Sequence, residues 1–252
     1  MVAVEAKEVR LRAGIDPESW RAGVVGATLG TLDRRGKYLM AGFGRSTAVL
    51  HLGMSGRLAL VRPEVPCAAH THLRLRFEGA IELRLIDPRR FGMAVVVPTE
   101  RLTDLAPLAA LGIDALDGDI EAGLLAAAAR SASPIRSVLL DQTVLAGIGN
   151  IYANEALARA RIHPLRPASS LARARVARLA AAVKAVLHGA IAAGGTTLED
   201  GGFSDAAGNA GNFAVQLAVY GREGLPCERC GSSIRRRVAS GRLLFFCPRC
   251  QR

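Results

Sequence analysis

Four cysteines set the strongest constraint on this chain. Cys227 and Cys230 form one Cys-x-x-Cys pair, and Cys247 and Cys250 form a second after sixteen intervening residues. Two such pairs across a short hairpin match the ligand spacing of a tetrahedral zinc site built from four cysteines. Four thiolates complete the coordination shell and leave no position for water, so the one Zn2+ expected here is structural. A redox dithiol or a pair of disulfides is the alternative reading of the same residues. The fifth cysteine, Cys67, stands apart, and an odd, clustered count argues for a reduced cytoplasmic protein rather than a secreted disulfide framework. Between the two pairs lie Arg235, Arg236, Arg237 and Arg242, which would present a basic finger to a phosphate backbone.

The basic finger agrees with the whole chain. Thirty-three Lys and Arg against twenty-two Asp and Glu give a formal charge of +11 and a pI near 10.4. Such an excess favours a polyanionic partner through counterion release, nucleic acid above all. An arginine-rich genome composition would raise the same number, so placement has to decide. No uninterrupted apolar run approaches the eighteen or so residues of a membrane span, and no membrane partner is expected. The mixed charges of Glu5, Lys7, Glu8 and Arg10 do not read as a secretory signal.

From Lys37 to about Val97 apolar and polar residues alternate. Leu73, Leu75 and Phe77 are separated by Arg74 and Arg76, and Ile81, Leu83 and Leu85 by Glu82 and Arg84. Period two predicts half-buried antiparallel strands, cut by turn signals into a β-sandwich or barrel. Beyond Thr99 the pattern turns helical, over 105–116, 120–129, 135–140, 151–160 and 171–193. For the last helix Ser169 and Ser170 offer an N-cap, Val176, Leu179, Val183, Val186 and Leu187 form one apolar stripe, and Gly194-Gly195 ends it. Its Arg173, Arg175, Arg178 and Lys184 read as a solvated surface. The glycine-rich stretch 194–212 reads as a linker or as a lid over a substrate. The fold expected is α+β: a β-sandwich or barrel over 1–100, a helical domain over 101–215 that carries the glycine-rich loop, and a zinc-ribbon β-hairpin over 216–252.

The order of short motifs is more specific than any one of them. Arg35-Gly36-Lys37-Tyr38-Leu39, His51-Leu52-Gly53-Met54-Ser55-Gly56, Asp87-Pro88-Arg89-Arg90-Phe91-Gly92, Gly147-Ile148-Gly149-Asn150-Ile151-Tyr152, Tyr220-Gly221-Arg222 and the terminal Cys-Pro-Arg-Cys-Gln-Arg follow one another with suitable gaps. Together, from about Val4 to Arg252, they resemble the formamidopyrimidine-DNA glycosylase family. The endonuclease VIII group shares the fold but matches less well around Met54.

The resemblance implies a base-excision-repair glycosylase and abasic-site lyase, acting as a monomer on double-stranded DNA that contains oxidised bases or abasic sites. A bacterial, cytoplasmic, nucleoid-associated protein is expected. The central helices would form a helix-two-turns-helix unit. Met54, Arg89 and Phe91 resemble the wedge that fills the gap left by an extruded oxidised purine. Asn150 resembles the residue that grips phosphate at a helix start, His70 falls on a DNA-contacting position, and His72 is expected to share its strand face. Lys37 matches a lysine that contacts the phosphate near the lesion and assists strand cutting, and Arg242 matches the finger arginine that holds the lesion's phosphate. The stretch 208–213 resembles the lid over the flipped base. Taken as isolated residues, Met54 and Phe91 would instead read as sandwich core.

The family performs its chemistry with the amine of an amino-terminal proline and a neighbouring glutamate. Met1-Val2-Ala3-Val4-Glu5 does not match that start, and Val4 to Glu18 fits the family's second segment, a strand and its following loop. The resemblance therefore leaves two readings, a start codon placed downstream of the true one or a paralogue that binds damaged DNA without cutting it. Retention of Lys37, Arg89, Asn150 and Arg242 accords with the first. A zinc-ribbon scaffold that docks proteins is the reading from another class.

Overall fold

The structure, a computed structural model of the chain, describes residues 3–6, 11–12, 14–198 and 203–252. Two compact units emerge, one of Met1–Ala109 with Gly194–Asn212 and one of Ala110–Ala193 with Phe213–Arg252.

The first unit has eight strands, β1 (Ala3–Ala6) and β2 (Thr31–Arg35) ahead of the alternating text and, within it, β3 (Tyr38–Phe43), β4 (Ser46–His51), β5 (Arg57–Val61), β6 (Thr71–Phe77), β7 (Ile81–Ile86) and β8 (Met93–Pro98). They form two four-stranded sheets in the orders β1-β6-β7-β5 and β2-β3-β4-β8. Every pairing is antiparallel. Leu73, Leu75 and Leu85 from one sheet share a core with Ala41, Phe43, Ala48 and Leu50 from the other. Helix α1 (Pro17–Val24) adds Trp20, which is fully buried and donates its indole N–H to the Ala94 carbonyl at 3.4 Å. This helix was not anticipated, although Asp16 accepts from the Glu18 and Ser19 amides and Pro17 opens the first turn, both ordinary start signals.

The polar side of β6 and β7 departs from the simple alternation. Glu82 and Arg84 are buried, whereas Ile81 is exposed and Leu83 only half-buried. Arg74, Arg76 and Arg84 all donate to the Glu82 carboxylate, and Arg84 also donates to the Val65 and Pro66 carbonyls. A charged residue on a strand can be buried when partners satisfy it, and here a loop and three guanidinium groups do so. Residues 7–10 and 13 of the segment expected as strand and loop lie outside the described residues, as do 199–202.

The second unit holds the helices. Three expected segments form as α3 (Ile120–Ala129), α4 (Ile135–Leu140) and α5 (Asn150–Ala160), and the long one as α6 (Arg173–Ala192). The apolar stripe of α6 is buried as expected. Its start differs: Ser170 donates to the Pro167 carbonyl within a 3-10 turn, and α6 begins after Ala172 without a side-chain cap. The helix expected over 105–116 is also corrected. Only α2 (Ala106–Ala109) forms, in the first unit, and β9 (Ile113–Asp114) then pairs in parallel with β10 (Leu145–Ala146). The Gly112, Ile113 and Ala115 amides donate to the Gln142, Val144 and Ala146 carbonyls, so sheet-type bonding takes the amides a helix would have used. No described helix is long and apolar enough to cross a membrane.

The described part of 194–212 is folded, not an unattached linker. Thr196 bridges Asn212, the Leu60 amide donates to the Ala206 carbonyl at 2.7 Å, and the Asp205 carboxylate accepts from the Ala207 and Asn209 amides.

Candidate nucleic-acid interface and metal centre

One end of the sandwich gathers five of the candidate residues. Lys37 is exposed in the turn between β2 and β3, beside Tyr38, whose ring lies 4.7 Å from that of His51. Burial first, and then the Lys37 and Arg12 cations, hold His51 below its ordinary pKa. The neutral ring accepts the Gly53 amide on Nδ1 at 3.0 Å, which places its proton on Nε2. That bond starts the turn carrying Met54. Gly53 is required there: its φ is +65°, and a Cβ would sit 2.6 Å from the Phe91 backbone.

Met54 is 72 % exposed and Phe91 47 %, so neither belongs to the core. The Arg89 guanidinium lies 4.8 Å from the Phe91 ring centroid, within cation–π range. The loops bearing these residues are joined by the fully buried Asp87, which sequence reasoning passed over. Its carboxylate accepts from Ser55 Oγ at 2.7 Å, the Arg89 amide at 3.3 Å and the Gly92 amide at 2.8 Å. Its own amide donates to the His70 carbonyl at 3.1 Å. His70 is exposed with φ +62° and therefore precedes the strand, whereas His72 is buried and its Nε2 lies 2.9 Å from the Asp87 carbonyl. The expected shared strand face is thus corrected: a register shift between Thr71 and Leu73 separates the two histidines. His51 and Asp87 lay inside the quoted motifs, and that was the signal that could have found them.

In the second unit Asn150 opens α5, whose N-cap Gly149 makes no side-chain cap bond. Asn150 and Arg242 are brought together by one carbonyl. Arg242 begins β12 (Arg242–Phe246), which pairs with β11 (Arg235–Ala239) through a Ser240-Gly241 turn with both φ values positive. The next residue, Leu243, accepts from Asn150 Nδ2 at 3.0 Å and from Arg136 Nη2 at 3.2 Å. Arg136 Nη2 also donates to Asn150 Oδ1 at 2.7 Å. Arg136 is buried, its Nε finds no partner, and burial followed by the Arg242 charge lowers its pKa. No motif announced this residue. Further along, the Phe245 amide donates to Asn154 Oδ1 at 2.8 Å, fastening the hairpin to α5. Arg235, Arg236 and Arg237 are exposed on β11, with Arg236 paired to Glu223 at 2.9 Å.

Cys227, Cys230, Cys247 and Cys250 converge, with all four sulfurs within 4.8 Å of one another. Two of the separations are 3.5 and 4.0 Å. A tetrahedral ion with sulfur bonds of about 2.3 Å needs sulfurs roughly 3.8 Å apart, so the residues fit the metal. Hydrogen bonds from Ser232 hold the Cys230 thiol at about 6, while desolvation pushes Cys250 up to about 12. A divalent cation resolves that conflict by taking four thiolates, and its role is structural because Val219, Ile234 and Phe245 pack around the cluster.

Comparisons with known proteins agree across the chain. The Formamidopyrimidine-DNA glycosylase N-terminal domain matches residues 1–94, the Formamidopyrimidine-DNA glycosylase H2TH domain 111–201, and a zinc finger found in FPG and IleRS 224–252. A formamidopyrimidine-DNA glycosylase of Syntrophotalea carbinolica is 44 % identical over 253 residues, covering 100 % of this chain and 92 % of that protein. One from Thiobacillus denitrificans matches to the same extent. Among solved structures, MutM (FPG) of Thermus thermophilus superposes with TM-score 0.88 at 39 % identity, covering 99 % of this chain and 90 % of the other. Lactococcus lactis Fpg in complex with DNA containing an abasic site superposes with TM-score 0.90 at 30 % identity, covering 99 % and 91 %. The chain belongs to the formamidopyrimidine-DNA glycosylase family.

Proposed function

We propose that the chain is a base-excision-repair glycosylase and abasic-site lyase that binds duplex DNA, extrudes an oxidised purine, and cleaves the N-glycosidic bond and then the strand. The observation that supports this reading is the shared Leu243 carbonyl, which accepts from Asn150 and Arg136 and so ties the strand begun by Arg242 to the start of α5. Family membership and the DNA complex of the Lactococcus lactis relative support it.

In this reading Asn150 and Arg242 take phosphates, Arg242 that of the lesion. Exposed Met54 and Phe91 enter the stack where the base leaves, and Arg89, held over Phe91, meets the orphaned partner base. His70 contacts the backbone. Lys37 contacts the phosphate near the lesion and assists strand cutting. The attacking amine that the resemblance implies is not assigned to a residue. The working segments are the sandwich to residue 100, the helices with the capping loop over 101–215, and the finger over 216–252. The protein acts as a monomer at the bacterial nucleoid.

The test is incubation with a duplex containing 8-oxoguanine in the presence of borohydride. A trapped covalent adduct and a nicked strand are expected. An intact strand with no adduct refutes the reading.

A further inference from the structure

The end of α5 opposite Asn150 carries a second concentration of charge. Arg159 and Arg161 from that end, Arg175 and Arg178 from the start of α6, Arg229 from the finger and Arg252 line one basin of about 520 Å³. Cys250 completes the lining, and no acidic side chain contributes. In sequence Arg175 and Arg178 read as a scattered solvated face; the fold gathers them with four other cations.

The basin is constructed, not a chance of long side chains. Arg178 Nε donates to the Ala160 carbonyl at 2.9 Å, and Arg175 Nη1 to the Arg252 carbonyl at 3.1 Å. The Arg252 amide reaches the Arg161 carbonyl, and Gln251 Nε2 the Ile162 carbonyl at 2.9 Å. Arg161 itself caps α5 in the left-handed region with φ +57°. The end of α5, the start of α6 and the tail beyond the metal centre are thus tied together. None of the six is paired to an Asp or Glu side chain of a described residue. Six like charges around one concavity repel one another, and an anion relieves that repulsion.

We propose that this basin is a second site for the phosphodiester backbone, taking a DNA segment other than the one held at Asn150 and Arg242. Along α5 the two sites lie about 15 Å apart, from ten steps of about 1.5 Å. An acidic peptide is the competing occupant, but docking peptides bury an aromatic or aliphatic anchor, and this basin is lined by arginines and one cysteine. Backbone binding needs cations alone. A chain with two such sites could pass between neighbouring DNA segments without first releasing one.

The inference rests on the nucleic-acid reading, and the experiment keeps the two separable. The zinc-loaded full chain is saturated with an unlabelled duplex containing an abasic-site analogue, and a labelled undamaged duplex is added while anisotropy is followed from low to moderate salt. A second binding phase is expected, with a log–log salt slope of about −3 to −5 from four to five phosphates. The double variant R159A/R229A removes two exposed side chains with no hydrogen bond to described residues, and it should weaken that phase about tenfold or more. Lesion nicking and first-duplex affinity should stay within twofold. Binding that stops at one duplex per chain, or a second phase indifferent to R159A/R229A, overturns the proposal. So does a polyglutamate peptide that binds the basin more tightly than the duplex. If the abasic duplex fails to bind at all, the functional reading falls, and the effect of R159A/R229A on residual duplex affinity still decides the basin.

Discussion

Asn150→Asp separates the fold from its use. The change keeps the side chain's shape and places a carboxylate 2.7 Å from Arg136 Nη2, a buried cation with no acidic partner among the described residues. Converting that neutral acceptor to a charged one gains about 1–2 kcal/mol. An anion at the start of α5 adds about 0.3–1 kcal/mol. Against this, the Nδ2 bond to the Leu243 carbonyl at 3.0 Å becomes oxygen facing oxygen, which costs about 1–3 kcal/mol. The terms nearly cancel, so the melting temperature should move by no more than about 4 °C. For DNA the outcome is one-sided. A phosphate about 5 Å from the new carboxylate, at an effective dielectric of about 20, is repelled by about 3 kcal/mol. At 1.4 kcal/mol per decade, affinity for an abasic-analogue duplex should fall about 150-fold. Anisotropy titration and thermal melting on one preparation measure both quantities. Affinity within threefold of the parent, or a loss of more than about 10 °C, refutes the reasoning.

Acid unfolding should draw on the Glu82 cluster. Burial alone would raise Glu82, but bonds from Arg74, Arg76 and Arg84 overcome it and hold the carboxyl at about 2, below its ordinary 4.5. The stabilisation is complete above pH 4.5 and is lost as pH falls toward 2, on the order of 3 kcal/mol; Glu82→Gln should flatten that acid slope, and an unchanged slope would count against the cluster. Stripping zinc with a chelator should open the hairpin to proteolysis at Arg235 to Arg237 while the sandwich stays protected, and equal digestion of both would contradict the assignment of a local structural metal. Asp87→Ala orphans the Gly92 and Arg89 amides and Ser55 Oγ, so a loss of about 2–4 kcal/mol is expected, together with a weaker fluorescence signal from 2-aminopurine beside the lesion. Met54→Ala should weaken the same signal while moving stability by less than about 0.5 kcal/mol, because the side chain is exposed.

The parts legible in sequence are those whose physics is local. Leu73, Leu75 and Leu85 announce a sheet because side chains alternate along a strand, and the α6 stripe announces a helix because Val176, Leu179 and Val183 recur at its period. The four cysteines state their geometry by spacing. What was missed depends on residues far apart in the chain. Glu82 looks solvated until Arg74, Arg76 and Arg84 close around it, with the 65–66 carbonyls holding Arg84. The apolar run over 105–116 carries no strong period, and its pairing with 142–146 was decided by partners about thirty residues away. Arg136 is an ordinary helical arginine until Leu243, 107 positions later, meets it.

Trp20 is the chain's one tryptophan, sealed between α1 and the sandwich. Emission excited at its red edge therefore reports the first unit alone, while tyrosines Tyr152 and Tyr220 belong to the second. A chromophore confined to one half is a built-in gauge: whether the halves melt together or in sequence can be read from native protein, with circular dichroism tracking the helices and no label attached.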